Sequence, residues 1–311
     1  MRVPAALLIA LVCVLLAGCG SSGEQGGSAT ETTPPPVAGT IESLWREPGD
    51  DIALTPGTSD YGPGRNRVSF LVVASDGTLV EQPSAKVWVA RNLKEAPFLE
   101  TEARLEPIGV PGGDKADAAN LYVTDVKLPG PGKYWLLAEP VGGERRVQAL
   151  GNLVVGKRAA APAPGERAVA VGNPTLDSVA GELQALTTAR RPDRELYRTT
   201  VRQALAEKQP FVVSFATPAF CKSRTCGPVV DVLSAVRQRF AGRPVSFIHV
   251  EIYEGNDPAN GVNAFVDAWN LPTEPFTFVV DAGGVVRTKL EGAFSAGELT
   301  RAVRAVLARS R

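Results

Sequence analysis

The sequence predicts two folded domains of different class, an all-β sandwich followed by an α/β domain. Three observations carry this reading. Between residues 40 and 156, apolar residues alternate with polar ones in short runs broken by Gly, Pro and Asp turns. Between 168 and 311, strand-like apolar runs alternate with runs of helical period. Residues 157–167, with Ala159-Ala160-Ala161-Pro162-Ala163-Pro164-Gly165 at their centre, read as the linker between the two. A chain of 311 residues is long enough for both.

The first residues set the compartment. Arg2 is followed by the apolar run Ala5–Leu16 and the small Gly18. That run is short for a membrane span and reads as a secretion signal. Leu16-Ala17-Gly18-Cys19 resembles a bacterial lipoprotein signal. The resemblance implies removal of residues 1–18, acylation of Cys19, and a protein held at the outer face of the cell membrane by lipid. Residues 19–39, rich in Gly, Ser, Thr and Pro, have little to bury and are expected to form a disordered tether.

In the first domain, 40–156, strands are expected at Arg67–Val73, Ala85–Ala90, Leu121–Val126, Lys133–Ala138 and Val147–Val155. Short strands between Gly, Pro and Asp turns argue for an immunoglobulin-like sandwich. It lacks a cysteine pair in its core, so its sheets must be held by apolar packing. Trp88, Tyr122 and Trp135 fit strand period and are read as core or its edge.

In the second domain, 168–311, helical character at Arg194–Glu207 precedes the apolar strand Phe211–Phe215. Val229, Leu233, Val236 and Phe240 then recur at helical spacing. Val245–Ile252 reads as a buried strand and Val262–Trp269 as a short helix. Phe276–Asp281 and Val285–Leu290 flank a Gly283 turn. The last helix begins at Ser295, whose spacing to Glu298 fits a capping box.

The chain has four cysteines. Cys13 lies in the cleavable segment and Cys19 at its end, which leaves Cys221 and Cys226. These two sit between the apolar strand and the helix that follows Gly227-Pro228. A helix start carries partial positive charge and unpaired N–H groups, so a thiolate there is stabilised. Lys222 and Arg224, between the cysteines, add to this.

These segments resemble the thioredoxin family. Pro210–Thr217 is similar to the strand and turn that precede its active site, and Cys226-Gly227-Pro228 repeats the start of its Cys-Gly-Pro-Cys motif. Val229 stands where the second cysteine of that motif would be, and Ser214 where the family keeps a buried acid. The segment Trp269–Asp281 is similar to the one that carries the family's cis-proline, a place taken here by Pro275. The resemblance covers about 168–307. It implies a thioredoxin-like fold and thiol–disulfide exchange with extracytoplasmic proteins, with Cys221, Cys226 and Pro275 as the site. Cys221 is the expected nucleophile by position, while Cys226 has the better match to the motif.

Other chemistries remain open for the same pair. A structural disulfide in a non-catalytic binding scaffold fits an oxidising compartment. Q-type peroxiredoxins share the four-residue spacing and a Thr-Pro, as in Thr217-Pro218, but this chain has Pro275 where they carry a catalytic arginine. Copper-delivery proteins of this fold pair two cysteines with a histidine. The single histidine, His249, lies mid-strand and reads as a packed core residue. With one His and one Met, no metal or cofactor site is expected. Lys plus Arg equals Asp plus Glu at 33 each, so no global field favours nucleic acid. The polar loop Tyr253–Gly261 is a candidate partner contact.

Overall fold

The computed structural model describes residues 35–113, 117–144, 146–220 and 228–309. Seven strands form the first half: β1 (Asp50–Pro56), β2 (Gly64–Val73), β3 (Ser84–Ala90), β4 (Leu99–Pro107), β5 (Asn120–Leu128), β6 (Gly132–Val141) and β7 (Val147–Val155). Their hydrogen bonds close into a barrel in the order β1-β2-β5-β4-β3-β6-β7. This corrects the expected pair of separate sheets. Antiparallel β3–β4 pairing closes one seam of the barrel and parallel β1–β7 pairing the other.

The interior follows strand period. Val68, Phe70 and Val72 of β2 point inward with Val87 and Val89 of β3, and Phe70 stacks on Tyr122 at 5.4 Å between centroids. The alternate residues Trp88 and Ala90 face outward. There a short helix α1 (Ile41–Trp45), started by the Thr40 side chain accepting from Ser43 N, covers them with Ile41.

The second half is a four-stranded sheet with helices on both faces. Its strands are β8 (Phe211–Phe215), β9 (Ser246–Val250), β10 (Phe276–Val280) and β11 (Val286–Glu291), in the order β11-β10-β8-β9. β8 and β9 are parallel, whereas β10 runs antiparallel to both β8 and β11. All five residues of β8 are buried, because both of its faces are covered. Val212 faces α3 (Val229–Arg239) and α5 (Ala296–Arg309). Phe211, Val213 and Phe215 face α2 (Val201–Ala206), α4 (Ala264–Ala268) and Trp269.

The helical run expected over 194–207 is a 3₁₀ turn at Arg194–Tyr197 followed by α2, whose N-cap is Thr200. The capping box of α5 is reciprocal: Glu298 N donates to Ser295 Oγ at 2.9 Å, and Ser295 N donates to Glu298 Oε2 at 3.2 Å.

Residues 36–311 form one unit. The two halves meet through buried polar contacts rather than across a free linker. Glu291, 6% exposed at the end of β11, accepts from Ser59 N and Oγ and from Asp60 N in the β1–β2 loop. Asp60 in turn accepts from Lys289 Nζ (2.9 Å) and from the linker amides Ala160 N (2.6 Å) and Ala161 N (3.0 Å). Arg67 forks onto Glu298 at 2.7 and 3.0 Å, with both side chains 9% exposed. Around these, Leu71, Ile108, Ala118 and Leu121 of the barrel pack with Ala293.

Candidate functional site

Cys19, Cys221 and Cys226 lie outside the described residues; Pro275 lies within them. The structure describes the walls into which the Cys221–Cys226 segment leads. β8, one of the two central strands, runs on into Ala216 and Thr217, both buried, and Ala216 N donates to Val250 O at 3.2 Å. Phe220 N closes a turn on Thr217 O. After the cysteine segment the chain re-enters at Pro228, which is the N-cap of α3, one place before the first helical turn expected for it.

Three elements surround this point. The first is the start of β10, where the Glu274–Pro275 bond is cis and Pro275 O accepts from Gly292 N at 2.9 Å. The second is the end of β9, carrying His249, Glu251 and then Tyr253. The third is the 187–191 segment, where Thr188 Oγ1 accepts from Ala219 N at 3.1 Å.

The barrel also reaches this end of the sheet. Its loop after β4 packs Val110 on the core shared by α3. Gly112 O accepts from Arg191 at 2.5 Å. A Cβ built at Gly113 would sit 3.0 Å from the Asp231 carboxylate in the first turn of α3.

Ser214, 0% exposed, pairs its Oγ with Thr277 Oγ1 at 2.8 Å, so a neutral hydroxyl pair lies beneath the site. His249 is buried, with both ring nitrogens engaged. Nε2 donates to Ala216 O at 3.0 Å, which makes Nδ1 the acceptor of the Tyr197 hydroxyl at 2.8 Å. Burial holds its pKa below the ordinary imidazole value. Both nitrogens being occupied counts against a metal-ligand role. Among the described residues no three His, Cys, Asp or Glu side chains gather as a metal group, and no helix is long and apolar enough to cross a membrane.

Sequence reasoning missed the carboxyl groups. Glu251 is 6% exposed, and its Oε2 accepts from Thr188 N (2.8 Å) and Thr188 Oγ1 (3.0 Å). Glu274, half-buried before Pro275, has its pKa pushed up to about 7, first by burial and then by the Glu251 charge, with a Tyr253 hydrogen bond opposing. An acid beside Pro275 is the opposite of the cation a peroxide site requires. The only hint in the sequence was the Glu-Pro dipeptide itself. The loop 253–261 forms two 3₁₀ turns, at Glu254–Asn256 and Pro258–Asn260, closed by a Tyr253–Val262 bridge, and lies largely exposed.

No family model and no curated protein matches the chain. Among solved structures, a thiol:disulfide interchange protein of the thioredoxin family from Chlorobium tepidum TLS is similar to part of it. The match has 19% identity and a TM-score of 0.32, and it covers 47% of this chain and 99% of that one. At that similarity it identifies no activity.

Proposed function

We propose that this chain is an extracytoplasmic, lipid-anchored thioredoxin-like protein that exchanges thiols and disulfides with partner proteins through Cys221 and Cys226. The observation that carries the reading is the sheet order β11-β10-β8-β9, with a β8–α3–β9 parallel crossover and an antiparallel β10–β11 hairpin. In open α/β sheets, ligands are met at the carboxyl ends of the strands. The cysteine segment leaves the carboxyl end of β8 and leads into α3, with Pro275 at the near end of β10. Pro275 would shape the partner groove, and Cys19 would carry the lipid.

In the direction of partner reduction, the thiolate of one cysteine attacks a partner disulfide. A mixed S–S bond forms, and the partner's other sulfur leaves as a thiolate that takes a proton. The second cysteine then attacks the mixed disulfide, the Cys221–Cys226 bond forms, and the partner departs with both sulfurs reduced. Partner oxidation is the same sequence reversed.

The barrel order reads as an immunoglobulin-like arrangement, four strands β1-β2-β5-β4 against three, β3-β6-β7, closed at both seams. Its docked position suits a module that helps select partners.

The rival is a non-catalytic scaffold with a structural disulfide, favoured by the neutral Ser214–Thr277 pair where an acid would assist exchange. Two experiments separate them. The reduction potential of the pair should fall between about −120 and −270 mV, and a value below about −300 mV would refute exchange. Cys221→Ser or Cys226→Ser should accumulate mixed disulfides with envelope proteins. If neither does, the scaffold reading stands.

A further inference from the structure

Between the outer face of β2-β5-β4 and the α/β half lies a cleft of about 650 Å³, a ligand-sized volume. One wall is the barrel: Ala103 points into the barrel core, so Glu102, Arg104 and Glu106 on the same strand face outward. The other wall is α5 and β11. Four consecutive residues of β11, Arg287 to Leu290, line the cleft. Side chains alternate between the faces of a strand, so four in a row line a cleft where the strand turns its edge toward it.

The ladder shows which backbone groups that edge offers. Gly292 N donates to Pro275 O, and bonded pairs alternate in an antiparallel ladder, so Leu290 and Thr288 bond to Thr277 and Val279. The N–H and C=O of Lys289 therefore point away from β10, as does Glu291 O, which accepts from Arg67 at 3.1 Å. The same edge already takes a strand at Val286, where Gly165 N donates to Val286 O at 2.8 Å and Val286 N to Glu166 O at 2.9 Å. That pairing stops at Pro164, which lines the cleft and has no N–H to extend it. Among the described residues no backbone pairs with Lys289 on this side.

The walls are rich in donors. Arg104 is exposed and makes no ion pair among the described residues. Arg301, its side chain 60% exposed, spends one N–H on Glu106 Oε1, and Arg287 spends one on Asp281 Oδ2. A guanidinium carries five, so each keeps donors for a ligand. Of the four carboxyl side chains lining the cleft, Glu298, Glu106 and Asp125 already accept from arginines, which leaves Glu102. Charges along an open edge ordinarily keep other strands away, and here their sign admits an acidic one.

We propose that this cleft takes an extended acidic segment of a partner protein, which adds as a short strand to the β11 edge at Lys289 and sets a carboxylate on Arg104. Main-chain bonds to Lys289 fix the register of the segment, and the guanidinium groups select it for acid. The site needs neither cysteine and goes beyond the exchange chemistry proposed above.

The test is fluorescence anisotropy on the full chain with labelled hexapeptides in which Glu alternates with Val or Thr. Saturable binding is expected, and the same peptides with Lys in place of Glu should not bind. Arg104→Glu reverses the charge at an exposed position and should weaken binding about tenfold or more. Methylating the backbone N–H groups of the acidic peptide keeps its charge but removes its strand donors, and should also weaken binding about tenfold or more. In the unmodified protein, deuterium exchange at the Lys289 amide should slow when the acidic peptide is present. Absence of binding below about 1 mM for every acidic peptide overturns the proposal. So does equal binding by R104E and its parent, or equal binding of the methylated peptide, which would mark a simple anion site without strand addition. Should R104E fail to fold, exchange at Lys289 decides: slowing supports strand addition, and an unchanged rate in saturating peptide overturns it. The reduction potential of the cysteine pair tests the other reading, so the two fail separately.

Discussion

Removing Arg67 should destabilise the whole unit far more than a surface arginine would. Its guanidinium makes four hydrogen bonds across the junction: to Glu298 Oε1 (2.7 Å) and Oε2 (3.0 Å), to Glu291 O (3.1 Å) and to Ala293 O (2.9 Å). Both members of the ion pair are 9% exposed, so solvent cannot replace the lost partner. Arg67→Ala leaves a buried carboxylate and two carbonyls to be satisfied anew, which places the cost at about 3–5 kcal/mol. For a unit of this size that is a fall in Tm on the order of 10 °C. Arg67→Met with Glu298→Met should cost less than Arg67→Ala alone, because no orphan charge remains, even though α5 loses half of its capping box. The assay is urea unfolding followed by far-UV circular dichroism and by tryptophan fluorescence. Trp88 and Trp135 report on the barrel and Trp269 on the α/β half, so coincident curves are expected. A loss under about 1 kcal/mol for Arg67→Ala, or a double variant worse than the single one, refutes the reasoning.

Three further outcomes follow from the same contacts. Asp60→Ala removes the acceptor of Ala160 N, Ala161 N and Lys289 Nζ, and should expose the 157–167 segment to limited proteolysis with a loss of about 2–4 kcal/mol; an unchanged cleavage pattern would count against the anchoring role. Glu274 binds its proton more tightly in the folded protein, at about 7, than when unfolded at the ordinary 4.5, so its contribution is full below about pH 4.5 and is lost as pH rises through 7. Because the group is half-exposed, screening reduces the effect to about 1 kcal/mol, and Glu274→Gln should flatten that part of the stability–pH curve. His249→Phe keeps the volume but leaves Ala216 O without its imidazole donor and the Tyr197 hydroxyl with Thr187 alone, and should cost about 1–3 kcal/mol by chemical denaturation; a neutral result would mean Ala216 O finds another partner.

Where a strand is buried on both faces, the sequence announces it. Phe211–Phe215, Ser246–Val250 and Phe276–Val280 are apolar runs whose ends fall within two residues of those expected. The barrel was less legible. β4, Leu-Glu-Thr-Glu-Ala-Arg-Leu-Glu-Pro, buries only Ala103 fully and carries charges at both strand and helix spacing, so neither period stands out. β1 opens on two aspartates. Closure depends on β1–β7 and β3–β4 pairings between backbones, which leave no trace in side-chain period. The same pattern of alternation serves two stacked sheets or one closed ring, and only the seams decide.

The residues that join the halves were invisible for a related reason. Arg67, Lys289 and Glu291 belong to strands, and Asp60 to the β1–β2 loop, where a charge ordinarily marks the solvent side. They are buried because a second layer covers that side, and each burial is matched by a partner from the other half. Glu251 and Glu274 read the same way in sequence, as polar residues at a strand end and before a proline, and become informative only once the fold sets Glu251 against Thr188 and Glu274 beside Tyr253. Charges shared between the halves fix how the loop after β4 sits against α3, so Val110 and Gly112 belong to the wall of the candidate site. A barrel held by the Arg67–Glu298 and Asp60–Lys289 pairs cannot act as a loose spacer. On the proposed reading, a partner docking at the carboxyl end of β8 would meet both halves of the chain, and weakening the junction would then alter its binding as well as how the protein unfolds.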